Sequence, residues 1–202
     1  MPNYCENTLS ITGKKTQVLE LLEKIKTTGE FFNAIRPIPE IFNDIHSGYQ
    51  IINGIGVTEW RTINKQSTAI STEELTKLNE EYGVTNQIEW CYKYWGTKWD
   101  TDIYENIEKM IENVKNEIYD TVTIHFDSFD TAWSPPMEIY YYLESLGFEI
   151  EAHYYEPSCG FCGFYYQGYD NYTEIYSYND VPDYIEEVFA VEDWQEDEED
   201  NE

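Results

Sequence analysis

Thr121-Val122-Thr123-Ile124-His125-Phe126 decides how this chain is read. Polar and apolar residues alternate through it, and the first four are β-branched, which predicts a half-buried strand. Downstream, Ser134-Pro135-Pro136 predicts a helix start with Ser134 as N-cap and proline at N1. Ile139, Leu143 and Leu146 give that helix its apolar face, and Gly147 ends it. Strands are then expected over 148–155, 161–167 and 172–178. A turn with Pro157, Ser158 and Gly160 separates the first two. Asp180 is expected to cap a last helix over about 181–190.

Upstream, Ile103, Ile107, Met110, Ile111, Val114 and Ile118 make an apolar stripe, so 102–118 is expected to be an amphipathic helix. A short helix is expected over 85–94. Ser71-Thr72-Glu73-Glu74 is a capping box for another that stops at Gly83. Residues 30–70 look irregular, broken by Gly48, Gly54 and Gly56, with Arg36-Pro37-Ile38-Pro39 held extended. Residues 14–28 follow helical spacing up to Gly29, and the alternation over 7–12 predicts a strand.

The order strand, helix, insertion, strand, helix and three strands is an α+β pattern. It fits a ferredoxin-like, split βαβ antiparallel sheet with a largely helical insertion over 29–100. The expected organisation is one domain over 1–191 and an acidic, disordered tail over 192–202. With 202 residues the chain is long enough for one substantial core.

Charge carries the functional signal. The chain has 40 acidic and 12 basic residues, a net charge of −28. All twelve bases lie at or before Lys115, and the 87 residues from Asn116 onward contain none. Removing the eight acids of the tail still leaves 15 acids and no base over 116–191. Such a surface is unsuited to direct binding of nucleic acid, which depends on Lys and Arg releasing counterions. It is equally unsuited to an anionic membrane. The plain reading of acidity is solubility, but an acidic folded surface also costs stability through self-repulsion, and a basic partner would offset that. No apolar run is long enough to span a membrane and the N-terminus has no signal-peptide pattern, so a cytoplasmic protein with reduced thiols is expected.

Several blocks together resemble a family of phage- and plasmid-borne proteins with a YubB-type ferredoxin-like domain. They are Met1-Pro2-Asn3-Tyr4-Cys5-Glu6-Asn7-Thr8-Leu9-Ser10-Ile11-Thr12-Gly13, Phe32-Asn33-Ala34-Ile35-Arg36-Pro37-Ile38-Pro39-Glu40 and Tyr94-Trp95-Gly96-Thr97-Lys98-Trp99-Asp100. Phe129-Asp130-Thr131-Ala132-Trp133-Ser134-Pro135-Pro136 follows, with Tyr154-Tyr155-Glu156-Pro157 and Gly160-Phe161-Cys162-Gly163. The family usually carries Trp at the position of Tyr4. The resemblance spans residues 1 to about 168 and implies a fold and a mobile-element setting. It carries no catalytic residues to transfer.

Three constellations compete for a role. Cys159-Gly160-Phe161-Cys162 is a C-x-x-C without a second pair for zinc and without the helix start of a redox site, so no metal or cofactor is expected. His125 with Asp127 and His153 with Glu151 share strand faces, but no nucleophile motif accompanies them, and no enzyme is expected. The third is a partner-binding surface of acids interleaved with tyrosines. It comprises Glu149, Glu151, Asp170, Glu174, Asp180, Asp183, Glu186 and Glu187 with Tyr154, Tyr166, Tyr169 and Tyr172. Glu149 and Glu151 stand roughly 7 Å apart on one strand face, and tyrosine suits interface hot spots. The expectation is a nucleic-acid mimic that inhibits a basic, nucleic-acid-binding host protein of defence or processing. The alternative is an acidic scaffold that grips a protein through Trp95, Lys98, Trp99, Asp100 and Trp133; the plainer reading of these tryptophans is as core anchors.

Overall fold

Alternation at the start of the chain builds β1 (Tyr4–Lys14), whose residues are buried at every second position. The computed structural model describes residues 3–191. The acidic tail lies outside the described residues. After β1 come α1 (Lys15–Thr28) and a four-residue helix, α2 (Phe32–Ile35). Gly29 ends α1 in the left-handed conformation, its N–H donating to Ile25 O.

The insertion departs from expectation. Residues 45–69 form a separate antiparallel sheet of β2 (Ile45–Ile52), β3 (Ile55–Ile63) and β4 (Gln66–Ala69). The first turn is Asn53-Gly54, both with positive φ, the geometry that matches strand twist in a two-residue hairpin. The insertion is therefore not largely helical. Helices follow this sheet: α3 (Thr72–Tyr82) and α4 (Gln87–Tyr94) within the insertion, and α5 (Ile107–Asn116) after it. Ser71 caps α3 as expected, accepting from Glu74 N at 3.2 Å.

The last part runs β5 (Thr121–Ala132), α6 (Met137–Ser145), β6 (Glu149–Glu156), β7 (Phe161–Tyr166), β8 (Tyr169–Glu174) and α7 (Asp183–Phe189). The third of these expected strands sits a few residues earlier than the tyrosine pattern suggested. Two expected caps are also corrected. Helix α6 starts after Pro136, and the Ser134 hydroxyl donates instead to Gly96 O at 2.8 Å. Asp180 does not cap α7; its Oδ2 accepts from Tyr176 N, Ser177 N and the Ser177 hydroxyl.

The main sheet is antiparallel with order β5-β1-β6-β7-β8. Since β1 is antiparallel to both β5 and β6, those two strands run parallel to each other, joined through α6 with β1 between them. One face of this sheet carries the main core, where Leu9, Ile11, Ile124, Phe126, Ile150 and Ala152 meet Val18 and Leu22 of α1 and Ile139 and Leu143 of α6. The insertion joins that core through aromatic contacts: the Phe31 ring centre lies 4.6 Å from that of Phe126, and Trp95 packs edge-on to Trp90. On the opposite face a smaller core forms where Val181, Ile185 and Phe189 cover Cys162 and Tyr155.

Candidate functional site

The face of the main sheet opposite α1 and α6 is polar because the strand period leaves it so. On β6, Glu149 and Glu151 are exposed and His153 half-buried, while Ile150, Ala152 and Tyr154 point to the core. On β5, Thr123, His125, Asp127 and Asp130 are exposed on that side. Between them lies β1, with Glu6, Thr8, Ser10 and Thr12. Short side-chain hydrogen bonds tie the strands together. Thr12 and Thr123 hydroxyls are 2.7 Å apart, and Ser10 Oγ is 2.9 Å from His125 Nδ1.

This face gathers carboxylates. Glu6 stands in register with Asp130, and Ser128 donates a hydrogen bond to Glu6 Oε1 at 3.3 Å. Burial, with the Asp130 charge second, holds the Glu6 carboxyl above the ordinary glutamate range. Burial raises the Asp130 carboxyl too. Among the described residues the ion pairs are Lys26–Glu108, Arg61–Glu74 and Lys115–Glu23, so no cation neutralises this group. His153 is pushed towards its neutral form by burial, with Glu151 opposing.

Of the anticipated surface, the structure brings part together. Glu151, Tyr166 and Tyr169 are register neighbours across β6, β7 and β8, and Glu149 lies two residues along the same face. Helix α7 packs on this face through Ile185 and Phe189, and carries Asp183, Glu186 and Glu187 with it. Other members separate. Asp170, Tyr172 and Glu174 alternate with Tyr169 on β8 and so belong to the other face. Tyr154 is fully buried, 1% exposed, and presents nothing to a partner. Its hydroxyl donates to Asp170 Oδ1 at 2.6 Å, reaching across Gly163, where any Cβ would collide with it. Asp180 is occupied with its own turn, and Glu174 accepts from the Tyr176 hydroxyl. Glu6 and Asp130, absent from the anticipated set, belong to the acidic face. The alternation of β1 signals Glu6, whereas Asp130 reaches this face only through the register shift between Phe126 and Phe129, which alternation does not show.

The tryptophan cluster divides in the same way. Trp95 is buried and donates from Nε1 to Arg36 O at 2.9 Å. Asp100 is a long-range helix cap: its carboxylate accepts from the backbone N–H groups of Phe31, Phe32, Asn33 and Thr101. Burial raises its pKa and those four donors oppose the rise. Lys98 lies 5.2 Å from the Trp99 ring centre. Trp99 and Trp133 are 36% and 44% exposed, and Trp133 holds a φ of +73°.

Cys159 is exposed while Cys5, Cys91 and Cys162 are buried. Among the described residues no group of three His, Cys, Asp or Glu side chains is placed to hold a metal ion. No described helix is long and apolar enough to cross a membrane. No protein-family model, no curated protein and no solved structure matches the chain.

Proposed function

We propose that this protein is a non-enzymatic binding protein that presents a fixed array of carboxylates to a basic partner, occupying a groove that normally takes nucleic acid. The observation that carries this reading is the charge partition on a rigid frame: 15 acids and no Lys or Arg over residues 116–191. Glu149 and Glu151 lie on the polar sheet face with Glu6, Asp127 and Asp130, and α7 adds Asp183, Glu186 and Glu187. Strands hold these charges at set spacings, so little ordering entropy is lost on binding. Like charges fixed at close range raise the energy of the free protein, and a cationic groove relieves it. The exposed rings of Tyr166 and Tyr169 beside Glu151 supply contact area of the kind hot spots use. The split βαβ unit, β5–α6–β6 around β1, is the element shared with ferredoxin-like cores. The resemblance implies a mobile-element setting, in which an inhibitor of a host defence or processing protein is the natural role.

The test is retention of proteins from host lysate on the immobilised full chain, eluted with salt and with competing DNA. Recovery of nucleic-acid-binding proteins that DNA displaces supports the reading. Binding should be lost when Glu149, Glu151, Asp183, Glu186 and Glu187 are changed to Gln or Asn. Unchanged binding by that variant overturns it. Loss with Trp99 or Trp133 changed to Ala instead moves the interface to the exposed tryptophans.

A further inference from the structure

Strand β5 is an edge of the main sheet, and the direction of its backbone groups follows from its pairing. Lys15 N donates to Asp120 O, so 120 belongs to the residues whose N–H and C=O point towards β1. With the register Gly13↔Val122 and Ile11↔Ile124, Val122 and Ile124 point the same way. Thr121, Thr123 and His125 therefore turn their N–H and C=O groups outward, and among the described residues nothing pairs with these groups. The next outward position is Asp127, and there an acceptor is already seated: its N–H donates to Glu105 Oε1 at 2.6 Å. The edge takes hydrogen bonds where a group is offered to it.

Alongside Thr121–His125 runs a groove of about 410 Å³. Its far wall is α5, through Met110, Asn113 and Val114, with Glu117 and Tyr119 closing one end. The wall and the strand are fastened to each other. The Lys15 ammonium donates to Lys115 O and Glu117 O at the end of α5, while its backbone N–H holds the start of β5. An open strand edge facing a helix across a groove lined by both apolar and polar side chains is the arrangement that binds an extended peptide as an added strand.

We infer that the β5–α5 groove binds an extended segment of a partner protein as a sixth strand, an apolar side chain resting on Met110 and Val114 and a Lys or Arg reaching Glu117. Charge selects this occupant. Glu117 is the one carboxylate lining the groove and no Lys or Arg lines it, Glu105 and Asp127 lie past its other end, and the chain as a whole carries −28. A second copy pairing edge to edge would bring two such chains together against their mutual repulsion. This site borders the carboxylate face at Thr123, His125 and Asp127, but it is built from the outward backbone groups of β5 and from α5 and does not depend on the carboxylates of that face.

The experiment is selection of random eight-residue peptides on the immobilised full chain, with Thr123→Pro as counter-target, followed by amide NMR mapping of enriched peptides. Proline at 123 removes an outward donor and no backbone bond to β1, giving up only the Thr12–Thr123 hydroxyl contact, so the β1–β5 ladder survives. Expected are peptides with alternating apolar residues and a basic flank. They should shift the Thr121, Thr123 and His125 amides and bind Thr123→Pro at least about tenfold more weakly, the worth of one lost hydrogen bond. Glu117→Gln should weaken them by a few-fold, an effect that salt erases. If Thr123→Pro does not fold, Met110→Arg, which blocks the groove from a half-exposed position, carries the same expectation. No enrichment over the counter-target, shifts mapping elsewhere, or a concentration-dependent dimer broken by Thr123→Pro would each overturn the inference.

Discussion

Glu6 and Asp130 stand directly opposite each other on β1 and β5, two carboxylates in one register position of an antiparallel pair. Both have pKa values raised by burial, and the Asp130 charge adds to the rise at Glu6. A raised carboxyl pKa means that the folded state binds protons more tightly than the unfolded chain. The stability it contributes is present below the ordinary acid range and is lost as pH climbs through the raised values. Like charges placed opposite on a sheet cost about 0.2–1 kcal/mol. Asp130→Asn should therefore stabilise the protein by about that much at pH 7, and by less at pH 4, where Glu6 and Asp130 take up protons. Urea unfolding at both pH values checks it, and an equal gain at each would show that charge is not the cause. If the acidic face binds the partner, the same substitution weakens that binding while it strengthens the fold.

Asp100 holds the N-terminus of α2 from a position 67 to 69 residues away in sequence. Its carboxylate is the partner of four backbone donors, so removing it orphans them in a half-buried place. Asp100→Ala is expected to cost about 2–3 kcal/mol, above a surface cap because hydrogen bonds to a charged acceptor are stronger. Asp100→Asn, which keeps one acceptor oxygen, should cost roughly half as much. Chemical denaturation of the two variants separates a cap from a surface acid, whose loss would change little.

Where the alternation was clean, the sequence and the fold agree. Residues 121–126 form the start of β5, and the apolar spacing of Val18, Leu21, Leu22 and Ile25 gives the buried face of α1. The same alternation also argues against Tyr154 as a contact residue, because Ile150, Ala152 and Tyr154 share the face opposite Glu149 and Glu151. The β2–β4 sheet was obscured because Gly48, Gly54 and Gly56 look like breaks. Tyr49, Ile51, Ile55 and Ile63 are exposed, so their apolar character does not mark a buried face. Its readable signal was Asn53-Gly54 between Ile52 and Ile55, a hairpin turn rather than an interruption. Ser134 and Asp180 were misread as caps because local propensity says nothing of distant partners. Gly96 O claims the first, and the Tyr176–Ser177 turn claims the second. Glu149 and Glu151 could be placed on one face from their spacing alone, but which acids of different strands share that face could not be read without the strand pairing.

Of the four cysteines, only Cys159 is exposed. Burial pushes the Cys162 thiol up to about 11 and the Cys91 thiol up to about 12, and raises Cys5 further. The thiolate is the reactive form, so these three are silent at neutral pH in the folded protein. A chromogenic disulfide reagent at pH 7.5 should titrate one thiol rapidly and all four after denaturation in urea. Two fast thiols in the native protein would mean that Cys162 opens readily, and that α7, which covers it, is loosely held.

Trp95 and Trp133 sit in neighbouring sequence blocks yet should respond in opposite ways. Trp95 is 2% exposed, packs against Phe32 and Trp90, and spends its indole N–H on Arg36 O. Trp95→Ala is expected to cost about 3–5 kcal/mol, the range for truncating a large buried aromatic. Trp133 is 44% exposed and holds a left-handed backbone, φ +73°, which a side chain with a Cβ adopts at a cost of about 1–2 kcal/mol. Trp133→Gly relieves that cost while giving up a half-exposed ring, so it should leave stability within about 1 kcal/mol of the parent and above Trp133→Ala. Thermal and urea unfolding of the three variants decide the matter. If Trp133→Gly unfolds the protein, its indole is a core anchor despite its exposure. If Trp133→Gly folds and loses a partner, the ring is held in an unfavourable conformation for that contact.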